Sequence, residues 1–183
     1  QYLYKVESNG SATFLSKLMA PDQSSEDYFG RSVSISGNLI GVGSHSADSD
    51  GMTDAGAVYL FQVETNGSAT FLSKVTAPDK APSDEFGSSV SQSGNFLAVG
   101  AYQSDPDSLS DAGATYLYQV EANGSVTFLT KVTAPDQMAG SQLGWSVSLS
   151  GDILAIGSNK ADLNGTVDAG ACYLYRLEAN GSA

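Results

Sequence analysis

Tyr116-Leu117-Tyr118-Gln119-Val120-Glu121-Ala122-Asn123-Gly124-Ser125 recurs, lightly edited, from Tyr2, Tyr59 and Tyr173, and the rest of the chain keeps step with it. The Asn-Gly-Ser triplets begin at Asn9, Asn66, Asn123 and Asn180, each 57 residues beyond the last, with no insertion or deletion. A fixed period of this length marks a repeat architecture. Within the stretch, Ala114, Tyr116, Tyr118 and Val120 fall on one side of an extended chain and Thr115, Leu117, Gln119 and Glu121 on the other, which is the pattern of a strand. Asn-Gly then predicts a tight type I′ turn with both residues at positive φ, and Val126 to Val132 returns as the partner strand. The repeated unit therefore carries a β-hairpin with Asn-Gly at its tip.

The rest of a period reads as two more strands. Phe86 to Gln92 is polar on alternate positions, and Ser93-Gly94-Asn95 turns it. Phe96-Leu97-Ala98-Val99-Gly100 is an unbroken apolar run, as in a strand buried on both faces. An acidic loop from Ala101 to Asp111 leads to Ala112-Gly113 and the hairpin. The return strand carries Lys131, equivalent to Lys17 and Lys74, and ends at Ala134-Pro135-Asp136. A Lys at that place and a closing Pro are the usual protection of an exposed sheet edge. Four short antiparallel strands per 57 residues, with apolar residues on both sides of the hairpin strand, predict small sheets stacked through both faces. That is an all-β, β-propeller-like array of four-stranded blades, either open or part of a larger ring. The blade boundaries fall at 29–85, 86–142 and 143–183, the last incomplete, with 1–28 the second half of a preceding blade.

Phe29-Gly30 and Phe86-Gly87, followed by Ser-Val-Ser, Ser-Gly-Asn, Val-Gly-Ser or Val-Gly-Ala and Asp-Ala-Gly-Ala-x-Tyr-Leu, resemble the FG-GAP repeat of integrin-like propellers in its bacterial-type variant. The resemblance runs over the whole chain. It implies a propeller fold, calcium-binding loops and the recognition of a partner. The chain departs from the family pattern at Leu143-Gly144, and in lacking the Pro of Gly-Ala-Pro at Ser44, Ala101 and Ser158. The family's Asp-rich calcium turn between the first two strands is replaced by Ser36-Gly37-Asn38, Ser93-Gly94-Asn95 and Ser150-Gly151-Asp152.

Composition narrows the function classes. A net charge of −12, from 20 acidic and 8 basic residues, disfavours nucleic acid, since phosphate binding needs clustered Lys and Arg. No 18-residue apolar run predicts a membrane span. The lone Cys172 excludes an internal disulfide framework and sits where Val58 and Thr115 sit, as a small strand residue. His45 faces Tyr102 and Asn159 at the equivalent positions, and Trp145 faces Arg31 and Ser88. Both read as isolated residues outside any repeated site, and no phosphate loop, nucleophile elbow or Cys/His cluster accompanies them. The expectation is a chain without enzymatic activity.

Two repeated constellations can carry function. The acidic loops read Asp48-x-Asp50-x-x-x-Asp54, Asp105-x-Asp107-x-x-x-Asp111 and Asp162-x-Asn164-x-x-x-Asp168, a spacing that lets oxygens converge on Ca²⁺. Asp and Asn are equally the residues of solvated turns, and no Glu closes the loop as a bidentate ligand; the solvated turn is the preferred reading. The triplets at Asn9, Asn66, Asn123 and Asn180, and Asn164-Gly165-Thr166, satisfy the N-glycosylation sequon. Turn chemistry accounts for Asn-Gly but does not by itself ask for the hydroxyl that follows. The leading reading is an extracellular or cell-surface structural and adhesive repeat. In it the segment belongs to a longer tandem array, glycosylated at its tips, that self-associates along the repeat axis as a fibre. A closed propeller binding its ligand through Ca²⁺ loops and an accessory domain of an enzyme are the competing readings.

Overall fold

The computed structural model describes residues 1–178, so Asn180 and its triplet lie outside the described residues. Strands β1 (Tyr2–Val6) and β2 (Ala12–Lys17) form a two-stranded sheet. Strands β3 (Ser32–Ser36), β4 (Leu39–Ser44), β5 (Ala57–Val63) and β6 (Ala69–Val75) form a four-stranded one. A second four-stranded sheet holds β7 (Ser89–Ser93), β8 (Phe96–Ala101), β9 (Ala114–Val120) and β10 (Val126–Val132). A three-stranded sheet holds β11 (Leu143–Ser150), β12 (Ile153–Ser158) and β13 (Ala171–Arg176). Every sheet is an antiparallel meander in chain order, and the sheets follow one another as an open, propeller-like series. Among the described residues the one helical element is a short 3-10 turn at Pro106–Ser108. No helix among the described residues is long and apolar enough to cross a membrane.

Burial follows the sequence pattern. All of β4 and β8 after the first residue is buried. Strand β5 sends alternate side chains into two different cores. Val58 and Leu60 pack with Phe86, Tyr116 and Tyr118 of the next sheet, while Tyr59 and Phe61 pack with Leu18, Ala20 and Ile40 on the other side. Strand β9 repeats the arrangement, with Leu117 joining Leu143, Leu154 and Ile156. Each fully buried Leu in these layers is worth about 1.5–3 kcal/mol relative to exposure. Because both faces of a blade are committed, a blade is stable only between neighbours.

The first strands of adjacent blades approach through backbone and hydroxyl groups. Ser32 donates its hydroxyl to the Gly87 carbonyl, and Ser34 and Ser36 accept from the Gln92 and Gly94 N–H groups at 2.9 and 3.1 Å. Ser89, Ser91 and Ser93 make the same bonds to Gly144, Leu149 and Gly151. Beside them Gly43 and Gly100 lie so close to the Gly87 and Gly144 carbonyls that a Cβ would overlap these oxygens. The alternating polar residues of the first strand are therefore inter-blade ligatures, which the polar/apolar pattern alone did not reveal.

The hairpin tip differs from the predicted type I′ turn. The Glu7, Glu64 and Glu121 carbonyls accept from Gly10, Gly67 and Gly124 N–H at 2.9 Å, and their own N–H groups donate to Ser11, Ser68 and Ser125. Only the glycines have positive φ, at 82°, 85° and 82°. This is a type I turn followed by a left-handed glycine, a three-residue loop in which Asn keeps ordinary backbone geometry.

The lysines on the fourth strands also do more than guard an edge. Lys74 reaches Asp22 at 2.8 Å and Lys131 reaches Asp79 at 2.9 Å, each across a blade junction, with the ammonium over the ring of Tyr59 or Tyr116. Burial alone would raise the Asp79 carboxyl, but the Lys131 hydrogen bond and charge outweigh it and hold it below 3.8. Because this pKa is lower folded than unfolded, the pair contributes fully above 3.8 and its contribution is lost as pH falls through the folded value.

Two outcomes follow for stability. Gly100→Val should cost about 3 kcal/mol or more, whereas Gly157→Val should cost about 1 kcal/mol, since a Cβ there meets only Ser146 of its own sheet. Urea midpoints of the two variants measure the difference. Lys131→Met should cost up to about 1 kcal/mol at pH 6, as for a half-exposed ion pair. By pH 3 that gap to the parent protein should have shrunk, which unfolding curves at the two pH values would show.

Candidate functional site

The structure places Asn9, Asn66 and Asn123 at exposed hairpin tips and Asn164 in an exposed loop. At the tips the Asn Oδ1 accepts from the backbone N–H and the hydroxyl of the Ser two residues on: 3.0 and 2.7 Å for Ser11, 2.9 and 2.7 Å for Ser68, 3.0 and 2.8 Å for Ser125. The third-place hydroxyl thus has a role inside the turn, contrary to the expectation that turn chemistry leaves it unexplained. The tips also support the stack. Gly124 sits on Leu72 of the preceding blade, and Ser73 donates to the Gly124 carbonyl.

In the acidic loops the first carboxylate closes the loop on the last residue. Asp48, Asp105 and Asp162 accept from the backbone N–H of Asp54, Asp111 and Asp168 at 3.1, 2.8 and 2.8 Å. The middle residues Asp50, Asp107 and Asn164 have φ of 53°, 54° and 52°, and the last ones 53°, 50° and 53°. Asp and Asn are among the few non-glycine residues that occupy this region readily. Asp50 is ion-paired with Lys80 at 3.0 Å and Asp107 accepts from Gln137 at 2.6 Å. Among the described residues no three His, Cys, Asp or Glu side chains are grouped to hold a metal.

A third constellation appears only in three dimensions. Strand pairing sets Ser32 opposite Gly43 and Ser89 opposite Gly100, so the residues just before the first strand and just after the second meet at one end of each blade. At this end the repeat breaks down: Tyr28, Glu85 and Gln142 are equivalent, as are Arg31, Ser88 and Trp145, and His45, Tyr102 and Asn159. Blade stacking joins these non-repeating residues into a row. The Tyr28 and His45 rings lie 5.5 Å apart, His45 Nε2 is 3.9 Å from Glu85 Oε2, Gln103 donates to Glu85 Oε1, and Tyr102 packs edge-on against Trp145 at 4.7 Å. His45 and Trp145, which read as isolated in the sequence, are members of one cluster. The signal was present: departures from the repeat gather at positions flanking Phe-Gly and Val-Gly.

The row is partly buried and charged. Burial, with the Arg31 charge, pushes the His45 pKa down, although Glu85 and Asp54 pull the other way, so the imidazole is neutral at neutral pH. Burial, and then the neighbouring Glu85 carboxylate, push Tyr102 up to about 12. Glu85 Oε2, His45 Nδ1 and Gln142 Oε1 are buried without a hydrogen-bond partner. What the row presents to solvent is the rings of Tyr28 and Trp145 at the blade ends.

The acidic loops yield a direct test. Asp105→Ala should cost about 1 kcal/mol through the lost loop-closing bond, read from thermal unfolding. Millimolar Ca²⁺ should leave the parent melting temperature unchanged; a saturable calorimetric heat of Ca²⁺ binding would show the carboxylates regrouping around the ion.

Comparison with curated proteins finds no match. Among solved structures, the chain is similar to the periplasmic gluconolactonase PpgL of Pseudomonas aeruginosa, with a TM-score of 0.55 and 17% identity over 96% of this chain and 46% of that one. The chain therefore spans less than half the length of that protein, and the likeness concerns the fold alone. The FG-GAP repeat profile matches residues 13–61, 70–118 and 126–175, each match running from the last strand of one sheet to the third strand of the next. By this match, which takes in most of its length, the chain belongs to the FG-GAP repeat family.

Proposed function

We propose that the chain is a non-enzymatic, extracellular structural and adhesive repeat whose blades stack in series. The observation that carries this reading is the blade junction itself. It is built from the same serine hydroxyls, glycines and backbone groups at both internal boundaries, so one blade accepts the next without new side chains. Ser146, Ser148 and Ser150 on β11 repeat the serine set of β3 and β7, which supports continuation by the same contact. A head-to-tail contact of this kind builds a filament when its rotation does not close. The sequon residues Asn9, Asn66 and Asn123 are exposed at the hairpin tips, which leaves room for sugar on their side chains.

A closed propeller that binds a ligand is the second reading. The likeness to the gluconolactonase over nearly the whole chain favours it, since that resemblance extends across several successive sheets. Rings of about four to eight blades are the known range.

Negative-stain electron microscopy of the full-length protein from its native source separates the two. Continuous filaments are expected; discrete rings would establish the second reading, and a compact three-bladed monomer would overturn both. Intact-mass spectrometry of the same material should exceed the polypeptide mass, with the excess removed by an N-glycosidase. A mass equal to the bare polypeptide would remove glycosylation.

A further inference from the structure

The pair Asn-Gly stands in two different turns of this chain, and the turn decides what the pair can do chemically. A glycine nitrogen that follows asparagine can attack the Asn side chain, because no Cβ obstructs the approach. Attack requires the Gly N–H to give up its proton and the Asn carboxamide to swing onto it. At the hairpin tips both groups are tied. Gly10, Gly67 and Gly124 donate their N–H to the Glu7, Glu64 and Glu121 carbonyls at 2.9 Å, and each Asn Oδ1 accepts from both the N–H and the hydroxyl of the following Ser. Two of the tips are also packed. A Cβ on Gly67 or Gly124 would stand 2.9 or 2.6 Å from the side chain of Leu15 or Leu72 in the preceding sheet.

The fourth described pair, Asn164-Gly165, lies in the third acidic loop and is built differently. Leu163 and Thr166 exchange both backbone hydrogen bonds around it, at 3.0 and 2.8 Å, and Asn164 and Gly165 have φ of 52° and 80°. This is the type I′ turn that the sequence placed at the tips. Neither the Gly165 N–H nor the Asn164 carboxamide takes part in a hydrogen bond among the described residues. Both residues are exposed, and nothing stands within 4 Å of where a Gly165 Cβ would lie, so a ring closing there has room. The first acidic loop has the same turn with a carboxylate in place of the amide. Ser49 and Met52 exchange bonds at 3.2 and 3.1 Å around Asp50 and Gly51, at φ of 53° and 79°.

We propose that Asn164 is a site of spontaneous deamidation, whereas the tip asparagines are protected by their turn. Hydroxide takes the Gly165 amide proton, and the nitrogen bonds to Asn164 Cγ. The side-chain nitrogen takes a proton from water and leaves as ammonia, which closes a five-membered cyclic imide. Water then opens the ring. Cleavage of the new N–Cγ bond gives an aspartyl residue, and cleavage of the original peptide bond gives an isoaspartyl linkage that runs through the side chain. Ammonia is exchanged for water, with no oxidant, reductant or cofactor. The aspartyl product is accommodated, since Asp50 holds the same backbone geometry and the closing bond from Asp168 to Asp162 does not use position 164. The isoaspartyl product adds a carbon to the main chain, which a two-residue turn cannot take up while keeping Leu163 paired with Thr166. Either product adds a negative charge, and the aspartyl one gives the third loop the Asp-Gly turn of the first.

Incubation of the bacterially expressed, unglycosylated 183-residue chain at pH 8 and 37 °C, followed by peptide mapping, measures each site, because deamidation raises a peptide's mass by about 1 Da. In the folded chain Asn164 should convert about tenfold faster than Asn66 and Asn123, the factor expected when one or two hydrogen bonds need not be broken. Asn9, whose Gly10 has no packing neighbour, should fall between them. In urea above the unfolding transition the four rates should converge, since glycine follows every one of these asparagines. Ser125→Ala, which removes the hydroxyl bond to Asn123, should speed Asn123 about threefold and leave Asn164 unchanged. Equal rates at Asn164 and Asn123 in the folded chain overturn the proposal. A tenfold difference that persists in urea also overturns it, by placing the cause in flanking sequence and not in the turn. Fibre, ring and native glycans do not enter these rates, so failure here leaves the assembly reading intact.

Discussion

The close approach of one blade's backbone to the next, at Gly43 against Gly87 and at Gly100 against Gly144, constrains everything else. No side chain fits between the sheets there, and only serine hydroxyls bridge the first strands. Further out the space between sheets holds Tyr59, Phe61 and Phe71 in one layer and Tyr116, Tyr118 and Phe128 in the next. Aromatic residues of this size bury roughly 150–250 Å² each. Small residues at one side of the blade and large ones at the other make each gap a wedge. A series of wedges turns about an axis, and the propeller-like curvature follows from residue volumes.

The fold was legible because it is written three times. Alternation in β5 and β9, the apolar runs of β4 and β8 and the fixed period are each local signals, and repetition removed their ambiguity. What escaped was whatever depends on the neighbouring blade. Ser34 and Ser36 look like the solvent side of an edge strand until the Gln92 and Gly94 N–H groups are seen to point at them. Lys74 looks like an edge guard until Asp22 is found across the junction. The Asn-Gly turn was misread for a different reason: both turn types use Asn-Gly, and the Ser that follows favours the one in which Asn Oδ1 is an acceptor.

The candidate site was illegible by the same logic that made the fold legible. Reading for repetition treats His45, Glu85, Tyr102 and Trp145 as noise, because no two share a repeat position and a residue type. Yet these positions lie at the blade ends, where neighbouring blades meet through side chains and not through the close backbone approach. The junction needs glycine at 43 and 100 and serine at 32 and 89, and it needs nothing in particular at 31, 45, 85 or 102. A repeat protein is free to vary at such places without loss of stacking, and variation there generates a surface that differs from blade to blade. The repeated junction is made by glycine backbone and serine hydroxyls, and the non-repeating one by His45 with Glu85 and Tyr102 with Trp145.

The acidic loops illustrate how a functional-looking pattern can have a backbone cause. Asn164 replaces the middle Asp in the third loop and holds φ at 52°, against 53° and 54° for Asp50 and Asp107. An amide and a carboxylate differ by a full charge, which a cation site would register, but they are alike in tolerating the left-handed region. Asp162 closes its loop on Asp168 at 2.8 Å whether the middle residue is charged or not. The property common to the three loops is three left-handed residues, two consecutive and then the last Asp, tied by one carboxylate. The same separation of cause applies at the tips, where the Asn–Ser hydrogen bond explains the triplet as a turn and leaves its modification as a distinct chemical question.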